Sequence, residues 1–590
     1  MSRTVRGIVC LLVVLMTRTD LAQSPSDASA AERLHALFAA EWDWTMEQNP
    51  TWASALGDRR WNDRWEDLSP EAFEARETHQ RAALARLAAI PRAELDREDQ
   101  VSYDVFRYLY ETQVEGYQYR GHYIRTNTYD GVQTVQRLAD SLRFETEQDY
   151  RDWTARLEGF PGYMAQNIAL MRRGIAENVL LPKVIMRRIA AQAERLATEP
   201  TEQSGFFEPF TTIPATIPPG VRSELAGRGR RAVAGHVQTA YRDLAAFIRD
   251  EYVPAAYDAA GIWQASRGDE LYAYLVRSFT TTSLTPRQVH EVGLQEVSRI
   301  RSEMERVKTA AGFSGTLDEF FTYLRTDPRF FYASGEEYLE ATRALAKRID
   351  PRLVRVFRTL PRLPYGVEPV PMALAPDQPA GYAEYGAPDG SRPAYYYVNL
   401  YQPESRPKWE MVALALHEAV PGHCLQGSLA QEVTSLPPFR KHAGFTAYVE
   451  GWALYAESLG DEMGLYEDPY DRFGQLTYEM WRAVRLVVDT GMHAFKWDRE
   501  RAIRYFMENA AKTELDVVNE ADRYISWPGQ ALAYKVGEIE IQRLRRGAAS
   551  TLGDRFDLRE FHDVILLSGA MPLSVLEARV EAWTKRKGGE

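Results

Sequence analysis

The stretch "LALHEAVPGHCLQ", Leu414 to Gln426, contains His417, Glu418 and His423, whose side chains can bind transition metals or transfer protons. The stretch begins like the zinc-binding motif H-E-x-x-H, in which two histidines four residues apart share one face of a helix. Pro421 occupies the position of the second histidine, and His423 follows two residues later. On an unbroken helix, residues six apart point about 120° away from each other, so His417 and His423 could not bind one ion.

The Pro421-Gly422 pair can remove this obstacle. Proline lacks an N–H and clashes with the carbonyl group four residues earlier, while glycine adopts backbone angles that other residues avoid. The pair therefore predicts that the helix breaks here and that His423 turns back toward His417. The alternative is an ordinary capped helix end with buried, hydrogen-bonded histidines.

A catalytic zinc ion usually has three protein ligands, so a third ligand must come from elsewhere in the chain. The best candidate is Glu450 in "AYVEGWALYAESLG", a segment with helical composition. Glu457 is the alternative, two turns further along the same face and roughly 10 Å away, so only one of the two can bind the ion. We favour Glu450 because Gly451 beside it would allow another helix to approach. Glu457 would then contact a ligand or pair with an arginine. Two imidazoles and one carboxylate favour zinc.

The elements that position these residues are predicted to be mostly helices. In residues 283–312, Thr285 and Gln288 have the form of a capping box with Pro286 at the first helical position, and apolar residues recur three and four apart. Similar patterns predict helices over residues 32–46, 70–90, 149–176, 232–252, 335–349 and 573–583. From Pro407, a further buried helix would carry His417 near its end.

Two stretches are predicted to interrupt the helices. Residues 197–223 are rich in proline and threonine and suit a long surface loop. Residues 361–393 are rich in proline, glycine and aspartate and lead into "AYYYVNLY", residues 394–401, whose tyrosine and valine content predicts a β-strand. The expected fold class is therefore mainly α, with a large helical body and a small β element beside the metal-binding helix.

Composition limits the partners and the compartment. The 590 residues are 45% hydrophobic, which is enough for a large core, and acidic residues outnumber basic ones by 83 to 71. No run of Lys and Arg interleaved with aromatic residues is present, so nucleic acid is not an expected partner.

Residues 1–22 have the layout of a secretory signal peptide. Arg3 and Arg6 precede an apolar run from Ile8 to Met16, which is too short to span a bilayer, and Ala22 precedes the expected cleavage point. The mature chain would be periplasmic or secreted, without a membrane span. Cys424 would be its only cysteine, so no internal disulfide is expected. The mature chain is predicted to have an N-terminal helical region, 23–280, and a catalytic region, 281–590, which could pack as one body.

Several segments together resemble one protein family. The residues of "HEAVPGH", 417–423, match a motif H-E-A-x-P-G-H, and "EGWALYAE" (450–457), "VVDTGMHAF" (487–495) and "RYISWPGQALAYKVG" (523–537) match as well. On these segments the chain resembles the domain-of-unknown-function 885 family, whose members are mostly exported bacterial proteins. That family is similar in turn to helical zinc oligopeptidases and carboxypeptidases with a glutamate third ligand. It commonly has a second histidine where this chain has Cys424, which we expect to be a small buried residue and not a thiolate ligand.

The resemblance implies roles for individual residues. His417, His423 and Glu450 would bind Zn²⁺, and Glu418 would be the general base that takes a proton from water and passes it to the leaving amine. The oxyanion donor would be Tyr534, near Arg523 and Tyr524 in sequence, or His493. Arg485 could bind a substrate carboxylate, although an ion pair with Asp489, one helical turn away, is the simpler expectation. The strand at 394–401 is either an edge strand that pairs with an extended peptide or an ordinary buried strand.

These observations favour an exported zinc-dependent peptidase with a peptide substrate. One alternative is a metal-dependent hydrolase that cleaves another kind of amide. The other is a non-enzymatic binding protein that keeps a residual metal site. Glu418 separates the enzymes from the binding protein, because a purely structural site needs ligands but no base.

Overall fold

The computed structural model describes residues 28–372, 375–387, 390 and 392–589. The predicted signal peptide, residues 1–22, lies outside these residues. The N-terminal α-helices are α1 (Ala30–Gln48), α2 (Pro50–Ala55), α3 (Pro70–Ala88), α4 (Arg97–Gly116), α5 (Leu138–Ser141), α6 (Glu147–Glu177), α7 (Lys183–Thr198), α8 (Pro219–Ala232), α9 (Gln238–Phe247), α10 (Val253–Ala255) and α11 (Gly268–Thr280). The later ones are α12 (Pro286–Ala310), α13 (Leu317–Thr326), α14 (Gly335–Ile349), α15 (Met411–Glu418), α16 (His423–Glu432), α17 (Pro438–His442), α18 (Thr446–Ser458), α19 (Pro469–Ala494), α20 (Arg499–Asn509), α21 (Glu514–Ser526), α22 (Ala533–Leu552), α23 (Leu558–Leu566) and α24 (Leu573–Gly588).

The predicted fold class is confirmed, and the predicted helices are present. At the start of α12, the Thr285 side chain accepts from the Gln288 N–H and the Gln288 side chain accepts from the Thr285 N–H, which is the expected capping box. The helix predicted over residues 232–252 is divided by two π-helical turns, Val233–Val237 and Ile248–Tyr252. Apolar spacing identifies a helix but does not distinguish α-helical from π-helical turns.

A small sheet accounts for the β element. Its strands are β1 (Tyr365–Pro369), β2 (Gly381–Glu384) and β3 (Ala394–Val398), in the spatial order β1-β3-β2. The central strand β3 pairs in parallel with β1 and antiparallel with β2. The hypothesis that this strand is a free edge for a substrate peptide is therefore wrong, because both of its edges are occupied. Residues 361–393, expected to be irregular, contain β1 and β2, two short strands that are stabilised by pairing with β3.

The stretch 197–223 is not the surface loop that its prolines and threonines suggest. It contains two short 3₁₀ turns, Thr201–Gln203 and Glu208–Phe210, and it buries Phe206, Phe207 and Phe210. The indole N–H of Trp153 donates to the Phe206 carbonyl oxygen at 3.0 Å. Burial of three aromatic side chains outweighs the turn-forming residues around them.

The hydrophobic core contains residues from both sides of the division predicted at residue 280. One cluster of buried side chains contains Trp153 and Tyr241 from the N-terminal part together with Ile300 and Met480 from the C-terminal part. The boundary at residue 280 stays a prediction. Among the described residues, no helix is both long and apolar enough to cross a membrane.

Two glycines bring α18 and α22 into close contact. A Cβ atom at Gly451 of α18 would lie 2.5 Å from the Cα atom of Gly537 in α22, and a Cβ atom at Gly537 would overlap the Ala447 carbonyl oxygen. Neither position has room for a side chain. The expectation that Gly451 permits close helix approach is confirmed, and α18 is held in place by backbone contact with α22.

We expect Gly537→Ala to lower the free energy of unfolding by about 3 kcal/mol, because the added methyl group must push the two helices apart. The matched control is Gly547→Ala, also in α22, where an added Cβ meets nothing within 4 Å. This control should gain up to about 1 kcal/mol from the higher helix propensity of alanine. Thermal unfolding followed by circular dichroism measures both, and equal midpoints for the two variants would contradict the close contact.

Candidate metal centre

The helix break predicted at Pro421-Gly422 is confirmed. Helix α15 ends at Glu418, and α16 begins at His423. Gly422 between them has φ −75° and ψ −130°, and a Cβ atom there would overlap the His417 carbonyl oxygen. The Cys424 N–H also donates to the Ala419 carbonyl oxygen at 3.1 Å across the turn. Because Gly422 carries no side chain, the first residue of α16 lies against the last turn of α15.

This turn places His417 and His423 beside Glu450. The distance from Glu450 Oε2 to His417 Nε2 is 3.6 Å, and to His423 Nε2 it is 3.3 Å. The two imidazole rings are perpendicular, with centroids 4.9 Å apart. Ligands bound tetrahedrally to zinc at 2.0–2.1 Å lie about 3.3 Å from one another. The two distances from Glu450 to the histidines are thus close to the spacing of zinc ligands, and the three candidate ligand atoms lie within 4.8 Å of one another.

The Glu450 oxygen in this cluster is not occupied by a hydrogen bond. One ligand atom from each of His417, His423 and Glu450 lies within 4.8 Å of the other two. Glu450 Oε2 is buried without a hydrogen-bond partner. Burial alone would raise the pKa of Glu450, but the adjacent histidines lower it well below its usual value. The carboxylate is therefore ionised, and the set of donors fits a divalent cation.

Glu457 supports His417 from the opposite side of the ring. Its Oε1 atom lies 2.8 Å from His417 Nδ1, and Arg482 Nη2 lies 3.4 Å from the same oxygen. A hydrogen bond from Nδ1–H to Glu457 leaves Nε2 of His417 free to bind metal. Burial lowers the pKa of His417, but Glu450 and Glu457 raise it to about 9. Glu457 therefore contacts both a candidate ligand, His417, and an arginine. Glu450 is the glutamate that lies between the two histidines.

Helix α18 also holds the turn between the two histidines. The indole N–H of Trp452 donates to the Pro421 carbonyl oxygen at 2.9 Å. Glu450, Trp452 and Glu457 thus reach one ligand cluster from two turns of the same helix. The position of α18 therefore decides whether the candidate site forms.

Glu418 lies next to these residues and is available for chemistry. Its side chain is half-buried, and within the described part of the chain it has no hydrogen-bond or ion-pair partner. Burial raises the pKa of Glu418, while His417 and His423 lower it in part. A carboxylate that is close to the ligands but not needed as one could accept a proton.

Cys424 is a buried free thiol, 1% exposed. Burial raises the pKa of this thiol above its ordinary value, with a further contribution from the negative charge of Glu418. A neutral thiol is a poor metal ligand. Its packing agrees with the expectation of a small buried residue.

His493 is not brought to the cluster as a free donor. It is fully buried, its Nδ1 accepts from the Ile262 N–H at 3.0 Å, and its Nε2 lies 3.0 Å from the Tyr524 carbonyl oxygen. Burial lowers the pKa of His493 to about 4. Both ring nitrogens hydrogen-bond to the backbone, so neither is available to a substrate.

Tyr534 and Arg485 lie together in a different group of side chains. The Arg485 guanidinium stacks over the Tyr534 ring at 4.4 Å. The prediction of an ion pair between Arg485 and Asp489 is wrong. Arg485 pairs with Glu520 at 2.8 Å instead, and Asp489 accepts from the Tyr272 hydroxyl at 2.5 Å. Sequence spacing cannot exclude a partner on another helix. A catalytic role for Tyr534 stays a prediction.

Tyr385 packs against α16, the helix that begins with His423, and sequence reasoning missed it. It directly follows β2, and its ring packs on Gly427, one helical turn after His423. Although 41% of Tyr385 is exposed, enclosure by the surrounding protein raises the pKa of its hydroxyl, and Glu450 raises it further. None of the described residues hydrogen-bonds to this hydroxyl. No motif in the sequence marks Tyr385, because it lies in a segment that is expected to be irregular.

The fold and the site define a mainly helical protein with a two-histidine, one-glutamate candidate metal centre. The model of the family described as "Bacterial protein of unknown function (DUF885)" matches residues 50–580. The chain belongs to this family. Among curated proteins, none matches it.

Two solved structures share the fold across almost the whole chain. The "putative lipoprotein" from Colwellia psychrerythraea is 31% identical, with a TM-score of 0.90, over 95% of this chain and 100% of that one. The "putative lipoprotein of unknown function" from Shewanella oneidensis is 18% identical, with a TM-score of 0.72, over 93% and 99%. A "putative oligoendopeptidase F" from Bacillus anthracis str. Ames is 11% identical, with a TM-score of 0.30, over 86% and 96%, which supports no argument.

We expect His417→Ala, His423→Ala and Glu450→Ala each to abolish stoichiometric zinc binding, because two remaining ligands hold the ion weakly. The wild-type protein should bind one equivalent. The control is His236→Ala, which removes an exposed histidine and should leave the metal content unchanged. Elemental analysis after dialysis measures all four variants. Full metal content in all three ligand variants would show that zinc binds elsewhere.

Proposed function

We propose that this protein is a zinc-dependent hydrolase that cleaves peptide bonds. The observation that carries the proposal is the convergence of His417, His423 and Glu450, with the unpartnered carboxylate of Glu418 beside them. This combination is the minimum for metal-assisted hydrolysis, namely three ligands, an open position and a base.

The residues would divide the chemistry as follows. His417, His423 and Glu450 would hold the zinc ion, and Glu457 would keep the His417 ring oriented through Nδ1. A zinc ion bound there would lower the pKa of water and polarise the substrate carbonyl. Glu418 would take a proton from the attacking water and deliver it to the leaving nitrogen, which becomes an amine as the carbon–nitrogen bond breaks.

A further candidate for the group that stabilises the oxyanion is Tyr385. Its ring packs on Gly427 of α16, the helix that begins with the candidate ligand His423, and burial together with the charge of Glu450 raises the pKa of its hydroxyl. A phenol with a raised pKa stays protonated and so remains a hydrogen-bond donor. Tyr385 therefore replaces His493 as a candidate for this role, alongside Tyr534.

Two other functions are compatible with the same ligands. A hydrolase for another kind of amide would use identical groups and would differ in its substrate cavity. A non-enzymatic binding protein would not need Glu418, and structural zinc sites usually have four protein ligands, whereas three are found in the described part of this chain. The open position and the adjacent base favour an enzyme.

The proposal also includes export of the protein from the cytoplasm. The basic residues and the apolar run within residues 1–22 are typical of a secretory signal. The similar solved structure from Colwellia psychrerythraea is described as a "putative lipoprotein", and lipoproteins are exported proteins. Both observations support the proposal that the protein acts in the periplasm or outside the cell.

We expect Glu418→Gln to keep the zinc ion and to lower the rate of peptide hydrolysis by about 10²–10⁴-fold, because the amide cannot accept the proton. The control Glu432→Gln, at the end of α16 where Glu432 pairs with Arg362, should retain activity. Cleavage of a peptide library, followed by mass spectrometry, is the measurement. A metal-loaded Glu418→Gln protein with full activity would remove Glu418 from the mechanism.

We expect Tyr385→Phe to lower kcat by about 10²–10³-fold with a small effect on KM, because the lost hydrogen bond acts mainly on the oxyanion. The control Tyr382→Phe changes a tyrosine in β2 whose ring stacks on Tyr397 at 5.0 Å. Steady-state kinetics on one cleaved peptide distinguishes the two variants. Unchanged kcat in Tyr385→Phe would leave Tyr534 as the candidate donor.

A further inference from the structure

A cavity of about 870 Å³ lies among the N-terminal helices α1 to α4 and the helices α11 and α17. Neither Glu418 nor any of the candidate metal ligands is among the described residues that line it. Its volume falls within the roughly 300–1,000 Å³ that is common for small-molecule sites. It is called the aromatic cavity below, because Trp42, Trp44 and Trp52 line it.

The three tryptophans are held in place by neighbouring rings. Trp42 and Trp52 meet edge to face with ring centroids 5.6 Å apart, and His442 of α17 stacks on Trp42 at 5.5 Å. Trp44 stacks on His79 of α3 at 3.9 Å. Trp52 keeps 37% of its surface exposed. Indole rings beside an open cavity leave apolar surface in contact with water, and a ligand with a flat apolar face would cover that surface.

Charged side chains in the lining of the aromatic cavity have atoms without a protein partner. Arg76 donates from Nε to Gln48 at 3.2 Å and from Nη2 to the Asp67 carbonyl oxygen at 2.7 Å. Oε1 of Glu66 accepts from the Thr51 N–H at 3.0 Å. Among the described residues, Nη1 of Arg76 and Oε2 of Glu66 have no partner, and neither atom is sealed from solvent. Each of them can therefore bond to a ligand.

Neutral donors lie in the same lining. Gln80 of α3 donates from Nε2 to Gln113 Oε1 of α4 at 2.8 Å. Gln113 is exposed, and its own NH2 group has no partner in the described part of the chain. The indole N–H groups of Trp42 and Trp44 are likewise without a described partner and open to solvent. The aromatic cavity thus combines apolar ring faces with hydrogen-bonding groups at their edges.

The charges of the lining residues balance. The charged groups that line the aromatic cavity are two carboxylates and two guanidinium groups, those of Glu41, Glu66, Arg76 and Arg125. Burial and the neighbouring arginines lower the pKa of His122 to about 4, and burial lowers the pKa of His442. Both lining histidines are therefore neutral at neutral pH. A ligand with a net charge would leave that charge uncompensated, so the lining favours a neutral ligand.

We propose that the aromatic cavity binds a neutral oligosaccharide. A sugar ring has an apolar C–H face that stacks on an indole ring, and its hydroxyl groups bond to carboxylate, guanidinium and amide groups around the edge. A purely apolar ligand would bury Arg76 and Glu66 without partners, and a nucleotide would add phosphate charge to a balanced lining. This inference assigns a second site and does not depend on the proposed peptidase function.

The test titrates the wild-type protein with three neutral trisaccharides, triacetylchitotriose, cellotriose and maltotriose, by calorimetry and by tryptophan fluorescence. At least one of them should bind with a Kd of about 1 mM or lower and should change the fluorescence, because three tryptophans line the cavity. Trp52→Ala should weaken this binding at least about tenfold. The control Tyr401→Ala removes a ring of similar exposure, 36% against 37%, outside the aromatic cavity, and should bind like the wild type.

A second variant covers the case in which Trp52→Ala does not fold. Gln113→Leu removes an exposed amide from the lining and should also weaken binding, whereas Gln118→Leu, an exposed glutamine outside the aromatic cavity, should not. No binding of any trisaccharide at up to about 10 mM overturns the proposal. Binding that survives both Trp52→Ala and Gln113→Leu overturns it too, because the sugar then lies elsewhere. Binding of adenosine monophosphate or free indole without any trisaccharide shows a ligand of another class and also overturns it.

Discussion

The placement of α18 is the constraint on which the candidate site depends. Gly451 lets this helix approach Gly537 of α22 until the two backbones touch. From that fixed position, α18 supplies Glu450 and Glu457 to opposite nitrogens of His417. Close-packed backbones cannot slide without a clash, so they hold side chains to the tolerances that a metal ion requires.

The helix break at Pro421-Gly422 is the second feature that the candidate site requires. A continuous helix would direct His417 and His423 to different sides, whereas the turn returns His423 to the face that α18 covers. Trp452 from α18 holds the turn by a hydrogen bond to the Pro421 carbonyl oxygen. The unusual motif and the neighbouring helix therefore depend on each other, and neither alone would form the ligand cluster.

The proposed mechanism takes Glu418 from the motif and Tyr385 from outside it. Tyr385 directly follows β2, which packs beside the metal-binding helices α15 and α16. Its hydroxyl has no hydrogen-bond partner among the described residues, so a substrate could supply the missing contact.

The sequence alone determined the helical class, the two candidate histidine ligands and the helix break, because these follow from local rules. Apolar spacing, a capping box and the chemistry of proline and glycine act over a few residues. Tertiary structure decided the features that depend on contacts between residues far apart in the sequence. It turned β3 into a central strand, buried Phe206 and its neighbours in an apparent loop, paired Arg485 with Glu520 rather than Asp489, and gave both nitrogens of His493 to the backbone. Each outcome depends on which surfaces meet after folding, and spacing along one chain cannot specify that.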